Sequence, residues 1–194
     1  MVGIDLLIAK PFRLGITGHR PDKLGGYNDY ENLRGLLMLK MRDFFLEKGV
    51  TTLVSGMALG TDQWATETAL DLGIRVAAMI PCLNQEKLWP AISQAYYHAL
   101  LDRIRKAEGH IIYVSLQNYE KGCMHRRNLE IVNSSEEMLA VWTGSKGGTK
   151  DCVRVAIRAG LPVTVLNPNT MEFEKHEVNL HHRLLAESDG SEDR

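Results

Sequence analysis

The chain has 194 residues, 44% of them hydrophobic and 24% charged, with a formal net charge of −1. Those values describe one ordinary globular domain with enough chain for a substantial core, and they give no global basic footprint for duplex nucleic acid. No run reaches the roughly 18 to 20 apolar residues that span a bilayer, and the N-terminal segment lacks the pattern of a signal peptide.

Strand and helix signals alternate along the chain. Residues 12–17 read as a strand closed by Gly18-His19-Arg20-Pro21. A helix follows, starting near Asn28 or Asp29 and ending at Gly49, with an apolar face of Leu33, Leu36, Leu37, Met41, Phe44 and Phe45. Residues 51–55 form a strand and 61–72 a helix; 75–80 form a strand stopped by Pro81. Residues 85–106 hold a helix, with Pro90 marking the first turn of its main body and a buried stripe of Ile92, Ala95, Tyr96, Ala99, Leu100 and Ile104. Then come a strand (110–114), a polar loop (115–122), a helix (124–134), a strand (137–142), a helix (148–159) and a last strand (162–166).

Short strands that are apolar on both sides and separated by helices make a mostly parallel sheet covered on both faces, an α/β/α three-layer sandwich of the Rossmann-like class. Residues 1–171 are the expected domain; from Glu172 the chain turns polar, and residues 172–194 read as a partly disordered tail. Three widely spaced cysteines (Cys82, Cys123, Cys152) form neither a CxxC pair nor a metal-ligand spacing. They imply free thiols and a reducing compartment; cytoplasm is the default location, and no metal, cofactor or membrane partner is expected. His181-His182 near the end reads as a solvated pair.

The residues that follow the strands carry the functional signal. The turn Ser55-Gly56-Met57-Ala58-Leu59-Gly60-Thr61-Asp62 joins a strand to a helix, a place where free backbone N–H groups attract anions. Gly56 and Gly60 admit close approach and positive φ, and Thr61 or Asp62 can cap the helix. Gly18, His19 and Arg20 follow the first strand; Gln85 and, one turn on, Trp89 follow the third; Lys146, Gly147, Gly148 and Thr149 follow the fifth. In a doubly wound sheet these positions converge beyond the carboxyl ends of the strands. Amides and arginines suit phosphate, and an indole or imidazole face suits a base, so a nucleotide or nucleotide-sugar is the expected ligand. Each residue also has an ordinary reading. His19 can be a loop histidine bonded to backbone, and Arg20 and Arg127 surface ion-pair formers. Trp89 can be a hydrophobic anchor, and residues 146–148 an exposed turn. The chain has no GxxxxGK[ST], no GxGxxG after its first strand, no GxSxG and no HExxH.

GITGHRP, SGMALGTDQWA, PCLNQEKLW, MHRRN and GGT before a helix, in that order, resemble the SLOG superfamily, and most closely its YpsA-like branch. The resemblance covers about residues 12–167. It implies a Rossmann-like sandwich that binds nucleotides or their derivatives at the strand ends. In that reading Gly56, Gly60, Gly147, Gly148 and Thr149 cradle phosphate with Arg20 and Arg127, while His19 and Trp89 meet base or ribose. Ser55, Thr61, Asp62, Gln85 and Asn128 complete the expected site. ADP-ribose-like or NAD-derived ligands, a sensing or regulatory role and a homo-dimer or tetramer follow from the same resemblance.

An enzymatic alternative comes from the related Lonely Guy phosphoribohydrolases, which cleave nucleoside monophosphates. Met124-His125-Arg126-Arg127-Asn128 is similar to their MHxRK segment, with Arg127 at the arginine position and Asn128 replacing lysine. Gly147-Gly148-Thr149-Lys150-Asp151-Cys152 matches their PGGxGTxxE only in part, because Cys152 stands at the glutamate position. Cleavage through an oxocarbenium-like state needs a nearby carboxylate. An N-glycosidase or 2-deoxyribosyltransferase-like enzyme would therefore rest on Arg127 with Asp62 or Asp151. A third alternative, single-stranded DNA binding by analogy to the DprA recombination mediators, is disfavoured by 7% aromatic content and near-neutral charge.

Overall fold

The computed structural model describes residues 11–26 and 31–176. The expected start of the first helix, the histidine pair and the end of the tail lie outside them.

Seven strands form one sheet in the order β4-β3-β2-β1-β5-β6-β7. They are β1 (Arg13–Gly18), β2 (Thr52–Ser55), β3 (Arg75–Ile80), β4 (His110–Tyr113), β5 (Glu137–Val141), β6 (Val163–Leu166) and β7 (Phe173–His176). The first six pair in parallel and β7 runs antiparallel to β6. The chain steps outward from β1 to β4, then crosses back to place β5 on the other side of β1. Right-handed crossovers put the helices of the two excursions on opposite faces. Thus α1 (Glu31–Glu47), α2 (Thr61–Asp71) and α3 (Ala91–Lys106) cover one face, and α4 (Cys123–Asn133) and α5 (Gly148–Arg158) cover the other.

The alternation of strand side chains divides the core accordingly. Leu14, Ile16, Leu53, Leu139 and Val141 point toward α1–α3, where they meet Leu37, Phe45, Trp64 and Ile104. Val54, Met138 and Ala140 point toward α4 and α5, where they meet Ile131, Val132, Cys152 and Ala156. Both β5 faces are buried along its whole length, which is why it reads as an apolar run after Glu137, whose carboxylate pairs with Lys48 and accepts the Thr164 hydroxyl. No helix among the described residues is long and apolar enough to cross a membrane.

Three expectations about the helices are corrected. Pro90 is the N-cap of α3 rather than part of its first turn: its ψ of 145° is extended, and residues 81–89 form turns instead of helix. Proline also disfavours helical geometry in the residue before it, here Trp89. The buried stripe of α3 is rotated by one residue, to Tyr97, Leu100, Leu101 and Ile104, and Ile92 is 82% exposed. Two adjacent tyrosines give the pattern two phases. Tyr96 donates its hydroxyl to Glu67 at 2.6 Å on the rim of α2, and Tyr97 takes the interior. On α1, Leu36 is 53% exposed. Beyond the helices, the polar segment after Glu172 adds the strand β7 to the sheet. All four β7 residues are exposed, and the strand is held by its ladder to β6 and by Phe173 stacked on Phe44 at 5.2 Å. A charged edge strand protects a sheet from further pairing, and that charge hid it.

Candidate functional site

The order reversal between β1 and β5 leaves a crevice beyond their carboxyl ends, the place where open α/β sheets receive ligands. A cleft of about 360 Å³ opens there. Its walls come from the end of β1 and the following loop (Thr17, Gly18, His19, Arg20, Asp22, Lys23), from Ala58 and Asp62, from Met124, Arg127 and Asn128 on α4, and from residues 146–149 at the start of α5.

His19 ties the two central strands together. Its N–H donates to the Val141 carbonyl at 3.0 Å, and its Nε2 accepts the Thr143 N–H at 3.1 Å. An accepting Nε2 assigns the proton of the neutral ring to Nδ1. Burial lowers the His19 pKa, and Lys23 lowers it further, so the ring is neutral at pH 7.

Side chains and amides of the turn between β2 and α2 bond to one another and to the β1 loop. Thr61 donates both its N–H (3.3 Å) and its hydroxyl (3.0 Å) to the His19 carbonyl. Ser55 donates to the Asp62 carbonyl at 3.1 Å and accepts the Met57 N–H at 3.2 Å. The Ala58 N–H donates to Asp62 Oδ2 at 3.3 Å. Gly60 holds φ +84°, and a Cβ there would come within 2.8 Å of the His19 carbonyl oxygen. Ser55, Gly56, Gly60 and Thr61 therefore do not line the cleft. They form the layer beneath it and dock the β1 loop, while Ala58 and Asp62 of the same turn reach the cleft wall. Neither Thr61 nor Asp62 makes a side-chain cap on α2.

The glycine at 56 serves an arginine. A Cβ on Gly56 would lie 1.4 Å from Arg127 Nη1, because the guanidinium rests directly on that backbone. Arg127 is only 7% exposed. Its Nη1 stands 3.5 Å from Asp62 Oδ2, an ion-pair distance without hydrogen-bond geometry, and both Nη1 and Nε lack any hydrogen-bond partner. A buried donor left in that state costs about 1–3 kcal/mol, more when charged. Burial pushes the Asp62 carboxyl above its ordinary pKa, while Arg127 pulls it back down.

Across the cleft, α5 follows its N-cap Gly147 with no side-chain cap, and open space surrounds the Cβ position of Gly148. Lys23 clamps the loop before it, donating to the Lys146 carbonyl at 2.6 Å and to Ser145 Oγ at 3.2 Å. Cys152, at the position of the hydrolase glutamate, is buried beneath the cleft, and burial pushes its thiol up to about 11. Asp151 is exposed and does not line the cleft. All three cysteines are free and buried.

Gln85 and Trp89 lie apart from this cleft, in an adjoining hollow of about 580 Å³ that shares Arg20 and Met124 with it. Sequence reasoning did not single out Asp22, Lys23, Ala58 or Met124. Met124 was legible in principle, one turn before Arg127 on the same helix face; Asp22 and Lys23 sit in a single 3₁₀ turn with no periodicity to find.

A UPF0398 protein of Bacillus thuringiensis (strain Al Hakam) is 25% identical over 157 residues, 76% of this chain and 83% of its own. Among solved structures, DNA processing protein A from Helicobacter pylori, described for its single-stranded DNA binding mode, aligns with TM-score 0.59 at 21% identity. That alignment covers 92% of this chain and 73% of that one. A molybdenum cofactor binding protein from Rippkaea orientalis aligns with TM-score 0.51 at 14% identity, covering 93% and 98%. These likenesses establish the fold, and the expectation against a nucleic-acid partner draws no support from them. The model of the YspA SLOG family (YpsA) matches residues 14–160, and the chain belongs to that family.

Proposed function

We propose that the chain binds a nucleotide or nucleotide derivative of the ADP-ribose or NAD type, in a sensing or regulatory role, with phosphate held between Arg127 and the start of α5. The observation that carries this reading is the buried Arg127 guanidinium, whose Nε and Nη1 have no hydrogen-bond partner beside an open cleft and whose only ion pair among the described residues is the 3.5 Å approach to Asp62. A phosphate oxygen supplies the missing acceptor, and charge-assisted bonds of that kind are among the strongest available. Gly148 and Thr149 line the same cleft at the uncapped start of α5, where a helix N-terminus favours negative charge. Arg20, Lys23 and Lys146 line it as well, against Asp22 and Asp62. Calorimetric titration with AMP, ADP-ribose and NAD tests the reading. Arg127→Gln is expected to weaken the best binder by about 10- to 150-fold, the loss of one charged hydrogen bond. Absence of binding by all three at millimolar concentration refutes it.

A second, enzymatic reading is favoured by one observation: Asp62 is a buried carboxylate in the cleft wall, facing Arg127. Asp151 no longer serves it. Release of free base from nucleoside monophosphates, abolished by Asp62→Asn, would select this reading; binding without release selects the first. The homo-oligomer implied by the resemblance belongs to the same proposal and is measured by light scattering.

A further inference from the structure

Two of the three cysteines meet behind the cleft wall. Cys82 lies two residues beyond β3, and Cys123 is the first residue of α4. The whole of α3 and β4 separates them in the chain, yet their thiols stand within hydrogen-bonding reach of one another. Both are buried. A buried cysteine ordinarily fills a core as a small hydrophobe. Core filling explains Cys152, which packs with Val153 and Ala156 beneath α4 and α5 and has Thr17 as its side-chain partner. It does not explain the other two, which belong to neither apolar cluster of the described residues.

Their cover is thin. Residues 116–122 are exposed throughout. This strip is tied down where the Leu83 N–H donates to the Gln117 carbonyl at 3.0 Å and Asn84 Oδ1 accepts the Tyr119 N–H at 2.7 Å. Its end is closed by the Cys123 N–H, which donates to the Glu120 carbonyl at 3.2 Å. Exposed segments with few bonds open at low free-energy cost. The anchors of this one are Leu83 and Asn84, next to Cys82, and Glu120, one turn before Cys123, so its opening frees the neighbours of both sulfurs. The Asn84 N–H also donates to Cys82 Sγ, which fixes the direction of that sulfur.

We infer that Cys82 and Cys123 are a redox-active dithiol, a modification site that a hydroperoxide converts to an intrachain disulfide tying the end of β3 to the start of α4. Burial pushes the Cys82 thiol above its ordinary pKa, so Cys123 attacks and Cys82 resolves. The Cys123 thiolate attacks one peroxide oxygen; the O–O bond breaks, hydroxide leaves and a sulfenic acid forms. The Cys82 sulfur then displaces hydroxide from the sulfenic sulfur and the S–S bond closes. The protons of the two thiols turn the two hydroxides into water, and the peroxide takes the two electrons that the dithiol loses. A disulfide of this transient kind suits a reducing compartment, where resting thiols stay reduced. Met124, the residue after Cys123, lines both the Arg127 cleft and the adjoining hollow, so the bond forms directly behind their shared wall. Nothing in this chemistry requires the ligand reading, and no nucleotide enters its test.

The folded full chain is treated with hydrogen peroxide, alkylated in denaturant and digested without reductant for mass spectrometry. The product is expected to lose about 2 Da and to yield a peptide that joins Cys82 to Cys123. Cys152 should be the one thiol still alkylated, where the untreated chain has three. Dithiothreitol should restore all of them. Dimedone should label Cys123 in Cys82→Ser at least about tenfold faster than Cys82 in Cys123→Ser; equal or reversed rates overturn the assignment of the attacking sulfur. The wild type alone decides the dithiol. Three alkylated thiols after a treatment that fully oxidises glutathione, a sulfenic acid that never closes, a bond that forms only in urea, or a cross-link to Cys152 or to a second chain would each overturn it.

Discussion

Replacing Gly56 with alanine tests whether Arg127 is placed by the backbone beneath it. Gly56 does not hold a positive φ, so alanine is barred there by contact alone. The added methyl would meet Arg127 Nη1, Cζ and Nε at 1.4, 2.4 and 2.9 Å. Restoring an ordinary contact of about 3.5 Å demands that the guanidinium move by roughly 2 Å. It is the far end of a flexible side chain beside a cleft of about 360 Å³, so it can swing outward without disrupting the sheet. That motion removes it from Asp62, and the folding cost is about 1–2 kcal/mol, less than for a deleted buried partner because the displaced cation regains water. For a domain of this size the melting temperature falls by roughly 2–8 °C. Ligand binding suffers more, by about 1.5–3 kcal/mol, or roughly 10- to 150-fold in dissociation constant. Calorimetry on Gly56→Ala, Arg127→Gln and the double variant gives the decisive comparison. The double variant should bind as Arg127→Gln alone does, within about 0.5 kcal/mol. Losses that add across the two substitutions, or wild-type affinity in Gly56→Ala, would refute the reasoning.

Three other outcomes are expected. NAD binding should tighten as pH is lowered from about 8 to about 5: the bridging diphosphate keeps its charge, while protonation of the Asp62 carboxyl, already raised by burial, removes the negative charge that opposes it. Arg127 and Arg20 pull that carboxyl down, as do the Ala58 and Gly56 N–H groups, while nearby Cys152 is neutral because burial raises its thiol. Asp62→Asn should flatten the dependence, and calorimetry across pH measures it. For His19 the folded pKa lies below the ordinary 6.5. Its contribution to stability is therefore complete above pH 6.5 and is lost as pH falls toward the depressed value, because the unfolded chain takes up the proton first. Urea titrations of the wild type and His19→Gln should converge as the solution is acidified. On α3, Leu100→Ala should cost about 2–5 kcal/mol and Ile92→Ala less than about 0.5, which thermal unfolding will show.

The central strands were legible because burial on both faces leaves them almost wholly apolar, as in β5, and helices of alternating phase separate them. What the pattern left open was local. Tyr96 and Tyr97 both fit a helical stripe, and only the position of α2 decides between them, since Glu67 offers a hydroxyl partner to one of them alone. Four exposed residues at β7 carry no hydrophobic signal, so their pairing with β6 is visible only in the sheet. At the site, the convergence of His19, Arg127, Asn128 and residues 146–149 was readable from strand ends and motif order. The role of Gly56 was not: a glycine beside a helix start reads as an anion loop, and the arginine that occupies its empty side comes from a different helix.

A crystal structure of the chain with ADP tests the central claim most directly. Phosphate oxygens should lie about 2.7–2.9 Å from Arg127 Nε and Nη1, close to the first amides of α5. A well-ordered ligand bound elsewhere, with both nitrogens of Arg127 still unpartnered, would contradict it.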